Sequence, residues 1–308
     1  MCSPTISNSM NDGNLNRLSQ RAAIIDIGSN SIRYMESVCS DGVLSFSQKE
    51  VYTTRLAEGL LASGMLSQSR MQQSLSVLSS LALRAKAGGF TPYAYATSAV
   101  RDAKNRSSFL EQVYQQTGFR VHVLSGEEEA NFAHLGASGG VGGLIDIGGG
   151  STQIMTANYR KSFPLGCVRV KDLCGGLPYA DICTKMQPLF RETYALPAIC
   201  EKKWSAVGGT ATTLAALHLG LEKYDPDPVN TCTMQAEEIH ALLSKLDAMG
   251  DACRRKHPLL LERHDIILCG GAILAYLIAL LGIERISFRD TDGMEGYCAG
   301  FVFPNVSL

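Results

Sequence analysis

Two short segments of this 308-residue chain place an aspartate, a glycine and a serine at the same spacing. Residues 25–31 read IDIGSNS and residues 145–151 read IDIGGGS, so that Asp26 and Asp146 lie 120 positions apart. Glycine lets the backbone turn tightly and brings amide N–H groups close to an anion, and the serine hydroxyl adds a donor. An aspartate repels phosphate, so its expected partner is Mg²⁺, which bridges to phosphate oxygens. Two such loops facing one another would hold consecutive phosphates of a chain or a nucleotide.

The hydrophobic pattern places both segments between short strands. Residues 22–28 form an apolar run that ends in a glycine turn, and residues 32–38 resume a strand-like pattern. Further strands are predicted at residues 93–97, 120–124, 204–207, 265–269 and 285–289, and helices at 71–85, 106–117, 127–135, 185–196, 210–219, 235–249 and 272–281. Strands that alternate with helices predict an α/β sheet in each half, with a ligand cleft between the halves.

The return of the opening pattern halfway along the chain indicates an internal duplication. Five glycines between residues 136 and 143 mark the boundary between the copies. We therefore predict a first domain at residues 21–136 and a second domain at 137–308, whose C-terminal helix is free to pack back on the first. Residues 1–20 are polar and lack aliphatic periodicity, which predicts a disordered leader.

Composition excludes several classes of partner. The 28 Lys and Arg residues against 29 Asp and Glu residues leave a net charge of −1, which excludes the broad basic surface that duplex nucleic acid usually needs but leaves a local basic cleft open. The longest apolar run, residues 272–282, is far shorter than the ~20 residues of a membrane helix. None of the ten cysteines forms a C-x-x-C pair, so reduced thiols and a cytoplasmic location are expected.

Further residues near the loops suit phosphate chemistry. Arg101 follows a predicted strand, where a fixed guanidinium could balance charge on a transferring phosphoryl group, although a solvated surface position fits equally well. Arg33 follows the first loop on a strand whose alternation leaves its direction open. Gly209 and Thr210 precede a predicted helix, whose N-terminal amides could receive an anion; a packing glycine pair explains them nearly as well. No Gly-Lys dipeptide occurs, which excludes a P-loop.

The motifs and their order resemble the Ppx/GppA family of exopolyphosphatases and guanosine pentaphosphate phosphatases. The resemblance rests on the two glycine loops together with residues 96–101 (ATSAVR), 124–130 (LSGEEEA), 208–214 (GGTATTL) and 270–272 (GGA). It extends from residue 22 to the C-terminus. It implies two ribonuclease-H-like, actin-like ATPase domains that flank a cleft, as in actin, hexokinase and Hsp70, and an antiparallel first pair of strands. Chains of this superfamily often form dimers, so a homodimer is an expected assembly.

The resemblance also implies roles for individual residues. Glu129 matches the glutamate that activates water for attack on the terminal phosphorus, with Glu128 as the alternative if the register shifts by one. From the residues alone, the three acidic residues 127–129 also favour a helix N-terminus. Asp146 would hold Mg²⁺, with Asp26 and Gln153 as the other metal candidates, and Arg101 would neutralise charge on the reacting phosphate. The expected phosphate-binding residues lie in or beside the glycine turns: Gly28, Ser29, Asn30, Ser31, Arg33, Gly148, Gly149, Gly150, Ser151, Thr152, Gly209 and Thr210.

Two positions depart from the family pattern. Gln153 stands where members usually carry a glutamate, and a neutral amide keeps an oxygen acceptor but loses the negative charge. Residues 293–296 (GMEG) represent the usual Gly-Leu-Arg-Glu-Gly, with the arginine missing. Longer members add a C-terminal HD-type metal site; His264 and Asp265 are expected instead to form a pair at the edge of a sheet.

The expected function is Mg²⁺-dependent hydrolysis of terminal phosphoanhydride bonds, with Glu129 as the general base. Inorganic polyphosphate and guanosine penta- or tetraphosphate both remain candidate ligands, since the sequence does not choose between them. One alternative is an ATP-dependent phosphotransferase of the same superfamily. Another is a non-catalytic sensor of polyphosphate or an alarmone, which the neutral Gln153 favours.

Overall fold

Two β-sheets form the framework of the protein, and each begins with one of the repeated aspartate segments. The computed structural model describes residues 20–189, 199, 201–304 and 306. Apart from Gln20, which begins the first strand, the predicted leader lies outside the described residues, as does the part of the predicted helix 185–196 from residue 190 onward. In the described part of the chain, every helix is too short or too polar to span a bilayer.

The first sheet has the strand order β3-β2-β1-β5-β6, with β4 also paired to β2. Its strands are β1 (Gln20–Ile27), β2 (Ser31–Ser40), β3 (Val43–Phe46), β4 (Glu50–Thr53), β5 (Thr91–Ala96) and β6 (Val121–Val123). Its helices are α1 (Leu60–Ser63), α2 (Gln68–Ala87), α3 (Ser98–Asp102) and α4 (Arg106–Thr117). The strands β1 and β2 pair antiparallel with Asp26 opposite Arg33, and β5 lies parallel to β1.

The second sheet has the order β11-β12-β10-β7-β8-β9. Its strands are β7 (Gly143–Ile147), β8 (Thr152–Met155), β9 (Arg160–Phe163), β10 (Trp204–Val207), β11 (Thr233–Gln235) and β12 (Arg285–Phe288). The other helices are α5 (Gly126–Ser138), α6 (Cys167–Cys174), α7 (Tyr179–Met186), α8 (Gly208–His218), α9 (Pro226–Thr231), α10 (Ala236–Met249), α11 (Asp251–Arg254), α12 (Ile267–Leu281) and α13 (Gly293–Tyr297), with a 3₁₀ turn at Pro258–Leu260 and a π-helical turn at Cys298–Val302.

The duplication predicted from sequence is present in the strand order. In each sheet, three antiparallel strands are followed by two parallel ones. The orders are β3-β2-β1-β5-β6, where β5 and β6 run parallel to β1, and β9-β8-β7-β10-β12, where β10 and β12 run parallel to β7. Asp146 on β7 faces Gln153 on β8, just as Asp26 faces Arg33. The prediction of an α/β sheet in each half is confirmed.

The strand predicted at residues 265–269 is wrong, because α12 begins at Ile267 and continues to Leu281. This segment is apolar on all sides and buried for most of its length, so it has no period that separates a strand from a helix. Gly270 and Gly271 allow close packing, since a Cβ at either position would overlap the side chain of Thr210 or of Leu243. Burial of α12 at the centre of the second core therefore decides its structure.

Helices α5 and α13 cross between the two halves of the chain. Alanines of α5 pack against Leu144 and Met155 of the second sheet, whereas Met294 and Tyr297 of α13 pack in a cluster with Ile24 of the first sheet. The two helices touch backbone to backbone at two glycines: a Cβ at Gly136 would overlap the Asp292 carbonyl, and one at Gly296 would overlap the Phe132 carbonyl. The domain boundary at 136/137 stays a prediction, and this pair of helices packs across it.

Candidate active site

A cleft of about 560 Å³ lies between the two sheets. The β1–β2 and β7–β8 loops approach each other there so closely that a Cβ at Gly149 would lie 2.7 Å from the Ser29 Cβ. Both loops close with the same hydrogen bond, from Gly28 N to Ser31 O (3.1 Å) and from Gly148 N to Ser151 O (2.9 Å). The two repeated turns therefore face one another across a single space, and glycine is required where they meet.

Most of the residues predicted from sequence line this cleft. They are Asp26, Gly28, Ser29, Asn30, Ser31, Arg33, Glu129, Asp146, Gly148, Gly149, Ser151 and Gly209. Five others do not line it: Arg101, Gly150, Thr152, Gln153 and Thr210. The Thr152 hydroxyl donates to the Leu165 carbonyl (2.6 Å), and Thr210 is buried beside Gly270, so both of these side chains pack within the second half.

Glu129 is the member of the acidic triplet that enters the cleft. Ser125 caps α5 by accepting from Glu128 N (3.1 Å), and the Glu128 carboxylate accepts in turn from Ser125 N (2.8 Å). Glu127 is exposed. The register fixed by this cap turns Glu129 inward, where its carboxylate accepts hydrogen bonds from Arg101 Nη1 (2.8 Å) and Ser151 Oγ (3.3 Å).

Burial raises the pKa of the Glu129 carboxyl group, and the Arg101 guanidinium limits that rise. Arg101 also donates to the Leu124 carbonyl (2.8 Å), so it is fixed between the end of the first sheet and α5. Arg101 does not line the cleft, so in this structure it acts as the ion-pair partner of Glu129. A carboxylate held in this way can accept a proton from water.

A second group of charges surrounds Arg33. Its Nε and Nη2 donate to Asp26 Oδ2 at 2.8 and 2.6 Å, and its Nη1 donates to Asp292. The Lys49 ammonium lies 3.3 Å from Asp292 Oδ1 and 3.0 Å from Glu295 Oε2. These ion pairs therefore join the start of α13, from the C-terminal half of the chain, to residues of the first half.

Three oxygen-bearing side chains fit the predicted Mg²⁺. Burial, together with the charges of Asp292 and Glu129, raises the pKa of Asp146 to about 8. Asp26 Oδ1 and Gln153 Oε1 are buried without a hydrogen-bond partner in the described part of the chain. Hard oxygen donors of this kind suit Mg²⁺, which keeps several water or phosphate ligands. No group of three or more His, Cys, Asp or Glu side chains among the described residues could enclose a metal, so the substrate and water would complete its shell.

His264 and Asp265 do not form a sheet-edge pair, and that expectation is wrong. They precede helix α12 rather than a strand, and they point to different partners. His264 Nδ1 lies 2.9 Å from Asp251 Oδ1. Asp265 accepts from Arg55 (2.7 Å) and Lys171 (2.6 Å), so that it links the loop after β4 to α6.

The cleft residues that sequence reasoning missed include Lys49, Arg263 and Asp292. The Arg263 guanidinium lies directly over Gly209, where any Cβ would overlap it. In the described part of the chain this guanidinium makes no hydrogen bond or salt bridge with another residue. The only feature of the sequence that relates to this position of Arg263 is the glycine at 209, which has no side chain and so leaves the space that the guanidinium fills. It is a cation available to an anionic ligand.

Comparison with known proteins identifies the relatives of this chain. Residues 38–301 match the family model described as the Ppx/GppA phosphatase family. Exopolyphosphatase 2 of Mycobacterium tuberculosis is 27% identical and aligns over 90% of this chain and 97% of its own length. A guanosine-5'-triphosphate,3'-diphosphate pyrophosphatase of Aliivibrio fischeri is also 27% identical, over 91% of this chain, which spans 59% of that longer protein.

Solved structures share the fold over nearly the whole chain. The Aquifex aeolicus member of the Ppx/GppA family superimposes with a TM-score of 0.75 at 25% identity, covering 93% of this chain and 98% of that one. An exopolyphosphatase from Cytophaga hutchinsonii gives a TM-score of 0.81 at 19% identity, covering 94% and 99%. These likenesses confirm the predicted fold class, two α/β units that flank a cleft. On the family match and the shared motifs, the chain belongs to the Ppx/GppA phosphatase family.

Proposed function

We propose that this protein hydrolyses the terminal phosphoanhydride bond of inorganic polyphosphate or guanosine pentaphosphate, in a Mg²⁺-dependent reaction. The observation that carries the proposal is the Glu129 carboxylate, which is half-buried, lines the cleft that both glycine loops also line, and is held by Arg101 and Ser151. The activities for which the M. tuberculosis and A. fischeri relatives are named support the same substrate classes. The free cysteines of the described residues support a reducing, cytoplasmic compartment.

The residues of the cleft divide the work of the reaction. The β1–β2 and β7–β8 loops and Arg263 bind phosphate oxygens, which leaves the terminal phosphorus beside Glu129. Glu129 takes a proton from a water molecule as the new O–P bond forms, and the bridging P–O bond breaks to release the shortened chain as the leaving anion. Asp146, with Asp26 and Gln153, would hold Mg²⁺, which supplies positive charge to the phosphate oxygens when bound.

The test compares phosphate release by wild type, Glu129→Gln and Glu128→Gln. Both variants remove one negative charge from adjacent residues, but Glu128 caps α5 and a glutamine at that position preserves the cap. We expect Glu129→Gln to lower release from long-chain polyphosphate and guanosine pentaphosphate by about 10²-fold or more, and Glu128→Gln to retain activity. Equal release by wild type and Glu129→Gln would contradict the proposal.

The alternative of a non-catalytic sensor has one observation in its favour, the uncharged Gln153 beside Asp146. A wild-type protein that binds the phosphate chain but releases no phosphate from either substrate, with or without Mg²⁺, would favour that alternative.

A further inference from the structure

The carboxylate of Asp292 forms ion pairs with two of the cations that line the cleft. Asp292 is only 4% exposed, yet it lines the cleft and contacts both Arg33 and Lys49. Arg33 is separated from it by 259 residues in sequence and lies on β2 of the first sheet, on which α13 packs. Asp292 follows β12 of the second sheet, so this contact depends on the two halves coming together.

The positive charge of these two cations is fully satisfied within the protein. Every guanidinium nitrogen of Arg33 donates to a carboxylate, two of them to Asp26 and the third to Asp292. The Lys49 ammonium is surrounded by the Asp290 carbonyl and the carboxylates of Asp292 and Glu295. Arg263 differs, because its guanidinium faces the same cleft with no anionic partner in the described part of the chain.

We propose that Asp292 is a specificity-determining residue that limits the affinity of this cleft for phosphate chains. Its carboxylate stands where a phosphate oxygen would pair with Arg33 and Lys49, so a bound chain must displace it or lie beside it. Like charges placed together oppose binding strongly in a partly desolvated site. This inference rests on the proposed function, because it concerns the anion that the same cleft binds.

The charge of Asp292 can be separated from its structural role. Asp292 also caps α13, where its Oδ1 accepts from Met294 N (3.0 Å). Asparagine is an equally good N-cap and has the same shape, so Asp292→Asn removes the charge and preserves the cap. Asp265→Asn is a matched control, since Asp265 also joins an arginine and a lysine across the two halves but does not line the cleft.

The test measures binding of inorganic tripolyphosphate by calorimetry in a buffer without divalent cations. We expect Asp292→Asn to bind about tenfold more tightly than wild type, which corresponds to about 1.4 kcal/mol. Asp265→Asn should stay within about twofold of wild type. Thermal unfolding of each protein verifies that the variants are folded.

Three other outcomes distinguish failure of this inference from failure of the proposed function. Equal or weaker binding by folded Asp292→Asn would overturn this inference and leave the proposed function standing. Absence of binding by both wild type and Asp292→Asn at millimolar tripolyphosphate would also overturn this inference, while the Glu129 assay, run with Mg²⁺, would still decide the proposed function. Tighter binding by Asp292→Asn, combined with no phosphate release from wild type in the Glu129 assay, would support the inference and reject catalysis.

Discussion

Replacing Asp146 by asparagine should stabilise the protein near neutral pH in the absence of divalent cations. Burial, with added repulsion from Asp292 and Glu129, raises the pKa of Asp146 to about 8 from its ordinary value of 3.8. The unfolded chain has released this proton by pH 5, whereas the folded protein keeps it. Folding therefore takes up a proton, and the free energy of unfolding falls as the pH rises from about 4 to about 8.

The size of the effect follows from one proton bound only by the folded state. That difference changes the free energy of unfolding by about 1.4 kcal/mol per pH unit, or about 3 kcal/mol between pH 5 and pH 7. Asparagine has no proton to release, so the advantage of Asp146→Asn over wild type should grow by about 3 kcal/mol across this range. Urea unfolding at pH 5, 6 and 7 in the presence of a chelator measures it.

Asp265→Asn is the control for this experiment. Burial opposes ionisation of Asp265, but hydrogen bonds from Lys171 and Arg55 outweigh it and lower the pKa of that carboxyl group. Asp265 is therefore ionised in both the folded and the unfolded state from pH 5 to pH 7, and its replacement should give a difference that does not change with pH. If the difference in the free energy of unfolding between Asp146→Asn and wild type were also independent of pH, the assignment of a bound proton to Asp146 would be refuted. Added Mg²⁺ should raise the unfolding temperature of wild type at pH 7 and leave Asp146→Asn unchanged.

Three further outcomes are expected. Arg101→Gln should move the acid limb of the pH profile of kcat/KM to higher pH, because Arg101 opposes the upward shift of the Glu129 pKa. An unmoved limb would show that the ion pair with Arg101 does not set the pKa of Glu129. Gln153→Glu should lower the Mg²⁺ concentration needed for half-maximal phosphate release by about tenfold, since it adds a negatively charged carboxylate opposite Asp146. An unchanged Mg²⁺ titration would argue against a metal at this strand pair. Gly296→Ala should lower the free energy of unfolding by about 3 kcal/mol in urea titrations, because its Cβ would overlap a backbone carbonyl of α5; wild-type stability would show that α5 and α13 do not touch there.

Sequence reasoning succeeded where the signal is local. The repeated aspartate and glycine spacing predicted both loops and the strands that flank them, because a strand, a tight turn and the next strand are specified by about ten consecutive residues. The antiparallel pairing of the first two strands was implied by the family resemblance. The inward position of Glu129 is local too, since Ser125 and Glu128 set where α5 begins. The role of each loop residue in binding stays a prediction.

Contacts between distant parts of the chain could not be predicted in this way. Asp292 meets Arg33 only after both sheets form and α13 packs on the first, and no spacing in the sequence records that meeting. Arg263 reaches the cleft because Gly209 lies beneath it, another contact between separate elements. The same limit explains the error at α12, where burial on all sides removes the periodicity on which the prediction relied.

The two copies of the duplicated unit differ in the residue that faces the aspartate across the strand pair, which is Arg33 in the first copy and Gln153 in the second. This difference gives the two aspartates different partners. Asp26 faces an arginine whose guanidinium lies 2.6 Å from its Oδ2, so one oxygen of the first loop's carboxylate has a fixed cation as its partner. Asp146 faces Gln153, whose amide N–H groups donate instead to Ser151 and Ser162. Its raised pKa shows that the folded protein favours a proton on Asp146, a place that a mobile cation would also fill. The Ser151 hydroxyl accepts from Gln153 and donates to Glu129, so two hydrogen bonds connect this strand pair to Glu129.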